Sequence, residues 1–181
     1  MNFDEKTVKE QYVYKGKILN LRVDDVLLPD GNTAKREIIE HSGGACILCE
    51  KDDKILLVKQ FRYPYKKVIY ELPAGKINKG EQPYDTAKRE LEEEGGVIAE
   101  SLEKIFEVYP SPGYTEEVIY IYKAHGVTDG KVHLDKDEFL SGEWFDKQTL
   151  KKMIENGEIN DAKTLIALLG SVFNNGYEKK E

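Results

Sequence analysis

Three glutamates are spaced so that a short predicted helix would carry them on one face. Glu90, Glu93 and Glu94 are separated as i, i+3 and i+4 within Thr86–Glu94, and residues with this spacing are neighbours on a helix surface. Like charges at this spacing destabilise a helix unless a cation neutralises them. Oxygen ligands favour a hard ion, Mg²⁺ or alternatively Mn²⁺, over zinc. Taken alone, the helix is equally consistent with a solvated acidic face.

The loop before this helix distinguishes the two interpretations. Together they follow the pattern G-x5-E-x7-R-E-U-x-E-E-x-G-U, where U is apolar, and every defined position is filled: Gly75, Glu81, Arg89, Glu90, Leu91, Glu93, Glu94, Gly96 and Val97. This segment resembles the Nudix box, and so many matches at the correct spacing make a specific signal. The metal-site interpretation is therefore favoured over a solvated face.

The resemblance implies a role for each residue of the box. Glu90, Glu93 and Glu94 are expected to bind the metal, with the Ala74 carbonyl as a further ligand. Glu93 and Arg89 are expected to be catalytic, Arg89 as an ion pair that orients the carboxylates. Glu81 either binds metal or folds the loop by accepting backbone N–H bonds, and we favour the second. Gly75 and Gly80 are expected to permit tight turns and close approach to phosphates.

A pyrophosphate diester is polyanionic, so attack by water requires metal ions and a base outside the metal cluster. Glu138, in a polar loop directly before a predicted strand, is the candidate base. Its segment resembles the loop that supplies the catalytic glutamate of ADP-ribose pyrophosphatases. The neighbouring Asp137 is the alternative base, and a solvated acidic loop is the alternative interpretation of the segment.

Three further segments resemble the ADP-ribose pyrophosphatase subfamily: Tyr109–Glu117, Lys59–Pro64 and Leu72–Lys76. Tyr109–Glu117 matches S-P-G-x-[ST]-[DE]-E, with Pro112 placed 16 residues after Gly96. A bent turn between two strands is a compatible interpretation. In Lys59–Pro64, Arg62 is expected to make a bidentate contact to a phosphate. A surface cation beside Tyr63 and Tyr65 is the alternative interpretation. The predicted substrate-binding residues are Arg36, which is expected at the adenine end, Arg62, Pro112, Gly113 and Glu116.

The expected reaction is therefore hydrolysis of ADP-ribose to AMP and ribose 5-phosphate by metal-activated water. One alternative is a hydrolase of another nucleoside diphosphate sugar, such as ADP-glucose or GDP-mannose. A second alternative is a module that binds ADP-ribose without cleaving it. The second is disfavoured because such modules usually lose box carboxylates, and this chain keeps them all.

The elements that would position these residues alternate between strands and helices. An antiparallel hairpin or meander is predicted around Pro29–Asn32. Further strands are predicted over Ala45–Glu50, Lys54–Phe61 with sheet continuing to about Glu71, Leu102–Tyr109, Glu117–His125 and Leu140–Phe145. Helices are predicted over Pro83–Glu94, Asp146–Glu155 and Asp161–Phe173. This order predicts an α+β fold, an α/β/α sandwich with a mixed sheet between helices. The predicted domains are an N-terminal strand region (1–42), a Nudix domain (43–175) and a polar tail (176–181). The resemblance also implies a homodimer with exchanged N-terminal strands.

Composition limits the classes of partner. The 181 residues carry a formal charge of -7 with a pI near 5.2, which argues against nucleic acid and anionic membranes as partners. No apolar run approaches the roughly 20 residues of a membrane span, and we expect a cytoplasmic protein. Cys46 and Cys49 lie three apart in an apolar strand and would face opposite sides, so core packing is predicted rather than a zinc or redox site.

Overall fold

The N-terminal unit of the structure contains a four-stranded antiparallel sheet within residues 6–41, and Tyr109–Val118 belongs to the same unit. The structure is a computed structural model that describes residues 2–136 and 138–173. The strands are β1 (Lys6–Lys9), β2 (Tyr12–Lys15), β3 (Leu19–Leu27) and β4 (Thr33–His41). Along one edge of β3, β1 and β2 pair with opposite ends of the strand, and β4 pairs with the other edge from Leu19↔His41 to Leu27↔Thr33.

A tight turn joins β3 to β4 at the position that the sequence predicted. The Leu28 N–H donates to the Asn32 carbonyl at 2.8 Å, and Gly31 between them has a φ of 87°. Such a φ is strained for most residues with a side chain, so glycine suits this position. The predicted hairpin is therefore confirmed.

The segment Tyr109–Val118 is hydrogen-bonded to β4 within this unit. The Ile39 N–H donates to the Tyr114 carbonyl at 2.7 Å, and the Glu116 N–H donates to the Ile39 carbonyl at 3.1 Å. Ile39 and Thr115 thereby form a parallel bridge. The segment is thus bent, as the sequence predicted, and it is also attached to a strand some 75 residues earlier in the chain.

The second unit contains the remaining elements and begins at Gly44. One of its sheets has the order β10-β11-β5-β9, and another has the order β12-β7-β6 with β8 also paired to β7. The strands are β5 (Gly44–Leu48), β6 (Glu50–Lys51), β7 (Lys54–Arg62), β8 (Lys67–Glu71), β9 (Ala74–Lys76), β10 (Val97–Val108), β11 (Ile119–Asp129) and β12 (Leu140–Asp146). Only the β5–β11 pair is parallel among the described strands of this unit, so the sheet is mixed.

Three α-helices accompany these sheets: α1 (Pro83–Glu93), α2 (Lys147–Glu155) and α3 (Ala162–Ala167), with a π-helical turn at Leu168–Val172 after α3. Pro83 is the first residue of α1, where a backbone N–H would have no partner within the helix, so its absence costs no hydrogen bond. Asp146 and Asp161 cap α2 and α3 by accepting the N–H groups of Thr149 and Thr164. The predicted α+β sandwich with a mixed sheet is confirmed, and no described helix is long and apolar enough to cross a membrane.

Alternate residues of β5 pack into two separate hydrophobic clusters. Cys46 and Leu48 pack with residues of α2 and of the turn after α3, whereas Ala45 and Ile47 pack with Ala87 and Leu91 of α1. This follows from the twofold alternation of side chains along a strand. Helices therefore cover both faces of the strand.

The two cysteines lie in opposite clusters. Cys46 belongs to the first cluster and Cys49 to the second, and both are fully buried. Burial raises the pKa of both thiols to about 12. The core interpretation of the C-x-x-C segment is therefore confirmed, because neither thiol is available as a thiolate ligand.

Candidate functional site

Helix α1 buries two of its acidic side chains. Glu90 is 7% exposed and Glu94 is 4% exposed, whereas the side chain of Glu93 is 38% exposed. Buried carboxylates are rare unless they are paired or bind a metal. Oε2 of Glu94 accepts the Ala74 N–H at 2.8 Å, which ties the start of β9 to the end of the helix.

Gly75 makes room for the Glu90 carboxylate. A Cβ placed on Gly75 would lie 1.7 Å from Oε1 of Glu90 and 2.1 Å from its Cδ. Gly75 lies in β9 and is not among the described residues with positive φ, whereas Gly80 has a φ of 82°. The tight-turn role that the sequence predicted therefore holds for Gly80. For Gly75 that role is wrong, and the reason for glycine there is the space taken by a carboxylate.

Arg89 bridges the loop and the helix. Its Nε and Nη2 donate to the two carboxylate oxygens of Glu81 at 2.9 and 3.2 Å, and its Nη1 donates to Glu90 at 2.6 Å and to Glu93 at 2.8 Å. Such contacts suit a residue that orients carboxylates. The bonds from Arg89 lower the pKa of Glu81 to about 2, and Glu81 also accepts the Asn78 N–H. The loop-folding interpretation of Glu81 is thereby supported.

The buried carboxylates are electrostatically unfavourable as they stand. Loss of water on burial raises the pKa of Glu94 to about 8, and the charges of Glu90 and Glu138 add to this effect. The pKa of Glu90 is also raised, first by burial. A cation placed here would favour the charged forms of all these groups.

The donors fit a hard divalent cation in type, although they do not form a complete ligand set. Oε2 of Glu90 and Oε1 of Glu94 accept no hydrogen bond among the described residues, and carboxylate oxygens are ligands for such ions. Over the same part of the chain, no three His, Cys, Asp or Glu side chains already converge on one point. Glu90 and Glu93 are connected through Arg89, whose Nη1 donates to both carboxylates, and not through a common ligand position.

Glu138 is brought close to these carboxylates. Its charge contributes to the raised pKa of both Glu90 and Glu94. Its loop is attached to the end of α1, because the Gly130 N–H donates to the Gly96 carbonyl at 2.8 Å and the His133 N–H to the Glu93 carbonyl at 2.9 Å. The alternative base, Asp137, and the tail 176–181 lie outside the described residues.

Arg62, at the end of β7, lies in the same unit but is engaged by a carboxylate. Its Nε and Nη2 donate to Oε1 and Oε2 of Glu71 at 2.6 and 2.9 Å. The pKa of Glu94 is raised by burial, and the positive charge of Arg62 offsets a small part of this effect. Arg62 therefore lies near the acidic cluster. Neither Glu71 nor its second partner, Lys163, was identified as a site residue from the sequence. The one local signal was the capping residue Asp161, two positions before Lys163.

The other predicted substrate-binding residues belong to the N-terminal unit. Arg36 is on β4, where its Nε and Nη2 donate to Glu5 at 2.8 and 2.5 Å. Pro112, Gly113 and Glu116 are exposed in the segment that is hydrogen-bonded to the same strand. One strand therefore organises all four within that unit.

Comparison with known proteins identifies relatives over most of the chain. Residues 39–168 match the model of the NUDIX domain, and residues 5–39 match the nucleoside diphosphate sugar hydrolase N-terminal domain. The chain is 42% identical over 170 residues to the ADP-ribose pyrophosphatase of Bacillus subtilis (strain 168), covering 92% of each chain. It is 41% identical over 169 residues to the methanol dehydrogenase activator of Bacillus methanolicus, covering 92% and 91% of the two chains. A crystal structure of an ADP compounds hydrolase superposes with a TM-score of 0.82 at 20% identity over 93% of both chains, which supports the fold.

Proposed function

The chain belongs to the Nudix family of pyrophosphohydrolases, and we propose that its reaction is the hydrolysis of ADP-ribose to AMP and ribose 5-phosphate. In this reaction water bonds to one phosphorus, the bond from that phosphorus to the bridging oxygen breaks, and the proton of the water is lost. The observation that carries the proposal is the pair of buried, electrostatically unfavourable carboxylates of the box, Glu90 and Glu94. The similarity to a relative named for this reaction supports the choice of substrate.

Nudix enzymes generally use divalent metals, and we propose Mg²⁺ for this chain, with Mn²⁺ as the alternative. Glu90, Glu93, Glu94 and the Ala74 carbonyl would hold it. When bound, the ion neutralises phosphate oxygens and lowers the pKa of a coordinated water. The burial and oxygen chemistry of these residues support the assignment. Arg89 orients Glu90 and Glu93 through the bonds from its Nη1.

Glu138 is proposed as the base that takes the proton from the attacking water. A base must reach the water without being consumed as a metal ligand. Glu138 is on a separate loop, and that loop is held to α1 by the backbone bonds of Gly130 and His133. Its electrostatic proximity to Glu90 and Glu94 supports this role.

The charged and exposed groups that remain are proposed to bind the rest of the substrate. Arg62 would bind a phosphate oxygen through its Nη1 amino group and not bidentately as expected from the sequence, because its Nε and Nη2 donate to Glu71. Arg36 would act at the adenine end, with Pro112, Gly113 and Glu116 shaping the pocket for the terminal ribose. We further propose a cytoplasmic homodimer with exchanged N-terminal strands. The exposure of every residue of β1 and β2, including Val8 and Val13, supports an additional contact for these strands.

The test is product analysis with purified protein, ADP-ribose and Mg²⁺, with and without chelator. Chelator-sensitive release of AMP and ribose 5-phosphate is expected from the wild type and not from Glu94→Gln. Glu92 directly precedes Glu93 in α1 but does not share the face of Glu90, Glu93 and Glu94. Glu92→Gln is therefore the matched control and should retain activity. ADP-glucose and GDP-mannose are run alongside, and faster cleavage of either would reject ADP-ribose as the substrate. Binding of ADP-ribose without turnover would instead indicate the non-catalytic module.

A further inference from the structure

We propose that Asp161 and Lys163, at the start of α3, act through Glu71 as positioning residues that hold Arg62 in its phosphate-binding orientation. The inference rests on the proposed function, since it assumes that Arg62 binds a substrate phosphate. It does not depend on which nucleoside diphosphate sugar is cleaved, because all of these substrates carry the same diphosphate.

Glu71 restrains the guanidinium of Arg62 with two bonds. Nε and Nη2 of Arg62 meet the two oxygens of Glu71 at 2.6 and 2.9 Å, a bidentate arrangement that fixes the guanidinium plane. The side chain of Glu71 is 4% exposed and that of Arg62 is 41% exposed. One end of the pair is thus buried, while the other remains accessible to a ligand through the Nη1 amino group, which donates to no described residue.

Lys163 restrains Glu71 in turn. Its Nζ donates to Oε2 of Glu71 at 2.5 Å and to Oδ1 of Asp161 at 3.0 Å, and its side chain is 11% exposed. Although burial alone would lower the pKa of Lys163, the charges of Asp161 and Glu71 raise it. The lysine is therefore a largely buried cation that holds Oε2 of Glu71 in place.

A neutral contact fixes the backbone next to Glu71. The Leu72 N–H donates to Oγ1 of Thr164 at 2.9 Å, and that hydroxyl donates to Oδ2 of Asp161 at 2.6 Å. Asp161 is thus connected to the end of β8 by two routes, one through Lys163 to Glu71 and one through Thr164 to Leu72, the residue directly after the strand. Both routes end within one residue of Glu71, so the start of α3 sets the position of this carboxylate.

A stabilising role alone is a poor explanation for this cluster. Replacing a buried ion pair by apolar residues of similar volume is often neutral or stabilising, since the desolvation of the charges offsets their attraction. An orientational role accounts for the chain of contacts. Glu71 restrains the guanidinium of Arg62, and Lys163 restrains the carboxylate of Glu71. The raised pKa of Arg62, caused first by its bond to Glu71, agrees with such a tight contact.

The test is a double-mutant cycle on the full-length enzyme with Arg62→Ala, Glu71→Gln and the double variant. We expect Glu71→Gln to raise KM on the order of tenfold, the effect of losing one charge-assisted hydrogen bond. We expect kcat to change little, because ground and transition states share a phosphate contact. In the Arg62→Ala background, Glu71→Gln should have almost no further effect on kcat/KM. Additive effects, or a fall in kcat at unchanged KM, would overturn the proposal.

Lys163→Met gives a second test that leaves the bond between Glu71 and Arg62 in place, in case Glu71→Gln does not fold. We expect a smaller rise in KM, restored by Lys163→Arg and absent in the Arg62→Ala background. Lys147→Met removes another ion pair of the same unit, to Glu50 at 2.5 Å, and should leave KM unchanged. An equal rise in KM for Lys147→Met and Lys163→Met would refute the inference.

Failure of the proposed function and failure of the positioning inference give different results. If the wild type prefers another nucleotide sugar, the ADP-ribose assignment fails while the cycle is measured on that substrate. If Arg62→Ala leaves kcat/KM unchanged on the best substrate, the positioning inference fails and the hydrolase assignment stands.

Discussion

Substitution of Gly75 by alanine should strongly reduce activity while preserving the fold. The added Cβ would lie 1.7 Å from Oε1 of Glu90, and real Cβ atoms essentially never come within 3.0 Å of such an atom, so the carboxylate must move by more than about 1 Å. A displacement of about 1 Å at a catalytic group costs on the order of 100-fold. We therefore expect kcat/KM to fall at least about 100-fold, with a higher metal concentration needed for half-maximal activity.

The fold should tolerate this change because a side-chain end, rather than backbone, is displaced. Gly75 has no positive φ, and the contact that Glu90 loses is its bond to Arg89, whose side chain is 30% exposed. The side chain of Glu90 is itself 9% exposed and burial raises its pKa, so desolvation offsets much of its attraction to Arg89, and Arg89 keeps its bonds to Glu81 and Glu93. Thermal unfolding in the presence of chelator should therefore shift by only a few degrees.

A control and a double variant separate steric displacement from other causes. A Cβ on Gly142 would be at an ordinary 3.4 Å from Cδ1 of Leu56, so Gly142→Ala should keep wild-type kinetics. Glu90→Asp withdraws the carboxylate by about one methylene, so adding Gly75→Ala to it should reduce kcat/KM little further. Wild-type activity in Gly75→Ala, or fully additive losses in the double variant, would refute the steric explanation.

Three other substitutions test the base, the ionic cluster and the packing after α3. Glu138→Gln should lower kcat by about 10²- to 10⁴-fold with little change in the metal requirement; retained kcat in steady-state assays would exclude Glu138 as the base. Burial alone would raise the pKa of Glu71, but the bonds from its cationic partners lower it below the usual 4.5; its stabilisation is therefore present above about pH 4.5 and is lost as pH falls through the folded pKa. Glu71→Gln should thus be destabilising in urea at pH 7, and this loss should become smaller as the pH falls below about 4.5; a loss that does not change with pH would contradict this. Gly170→Ala would place a Cβ 2.6 Å from the ring of Phe106 and should destabilise by about 1–3 kcal/mol at unchanged KM; an unchanged urea midpoint would contradict the overlap.

The sequence predicted those features of the site that depend on local spacing. The carboxylates of Glu90, Glu93 and Glu94 share a helix turn, and Pro83 marks the first turn of α1. Cys46 in β5 and Cys49 directly after it lie in opposite clusters. In each case the decisive distance is a few residues along a regular element, so periodicity is sufficient.

Features that depend on distant residues could not be predicted in this way. Lys163 and Glu71 are 92 positions apart, and Thr115 and Ile39 are 76 apart. Their contacts arise when helices and strands pack, and no local pattern specifies which lysine will meet which glutamate. The error at Gly75 has the same origin, because the carboxylate that requires glycine there is contributed by a helix 15 residues later.

The arrangement of charge in α1 is best understood as stability given up for function. Two carboxylates are buried on one helix face, and the pKa of Glu94 rises to about 8 because water is removed from it. Arg89 compensates part of this charge through Glu90 and Glu93, yet its bonds do not include Glu94. A helix selected for stability alone would place these acids in solvent, where water favours their charged forms. Their burial against β9 makes sense if a bound cation replaces the lost solvation, which connects the destabilised helix to the chemistry proposed for it.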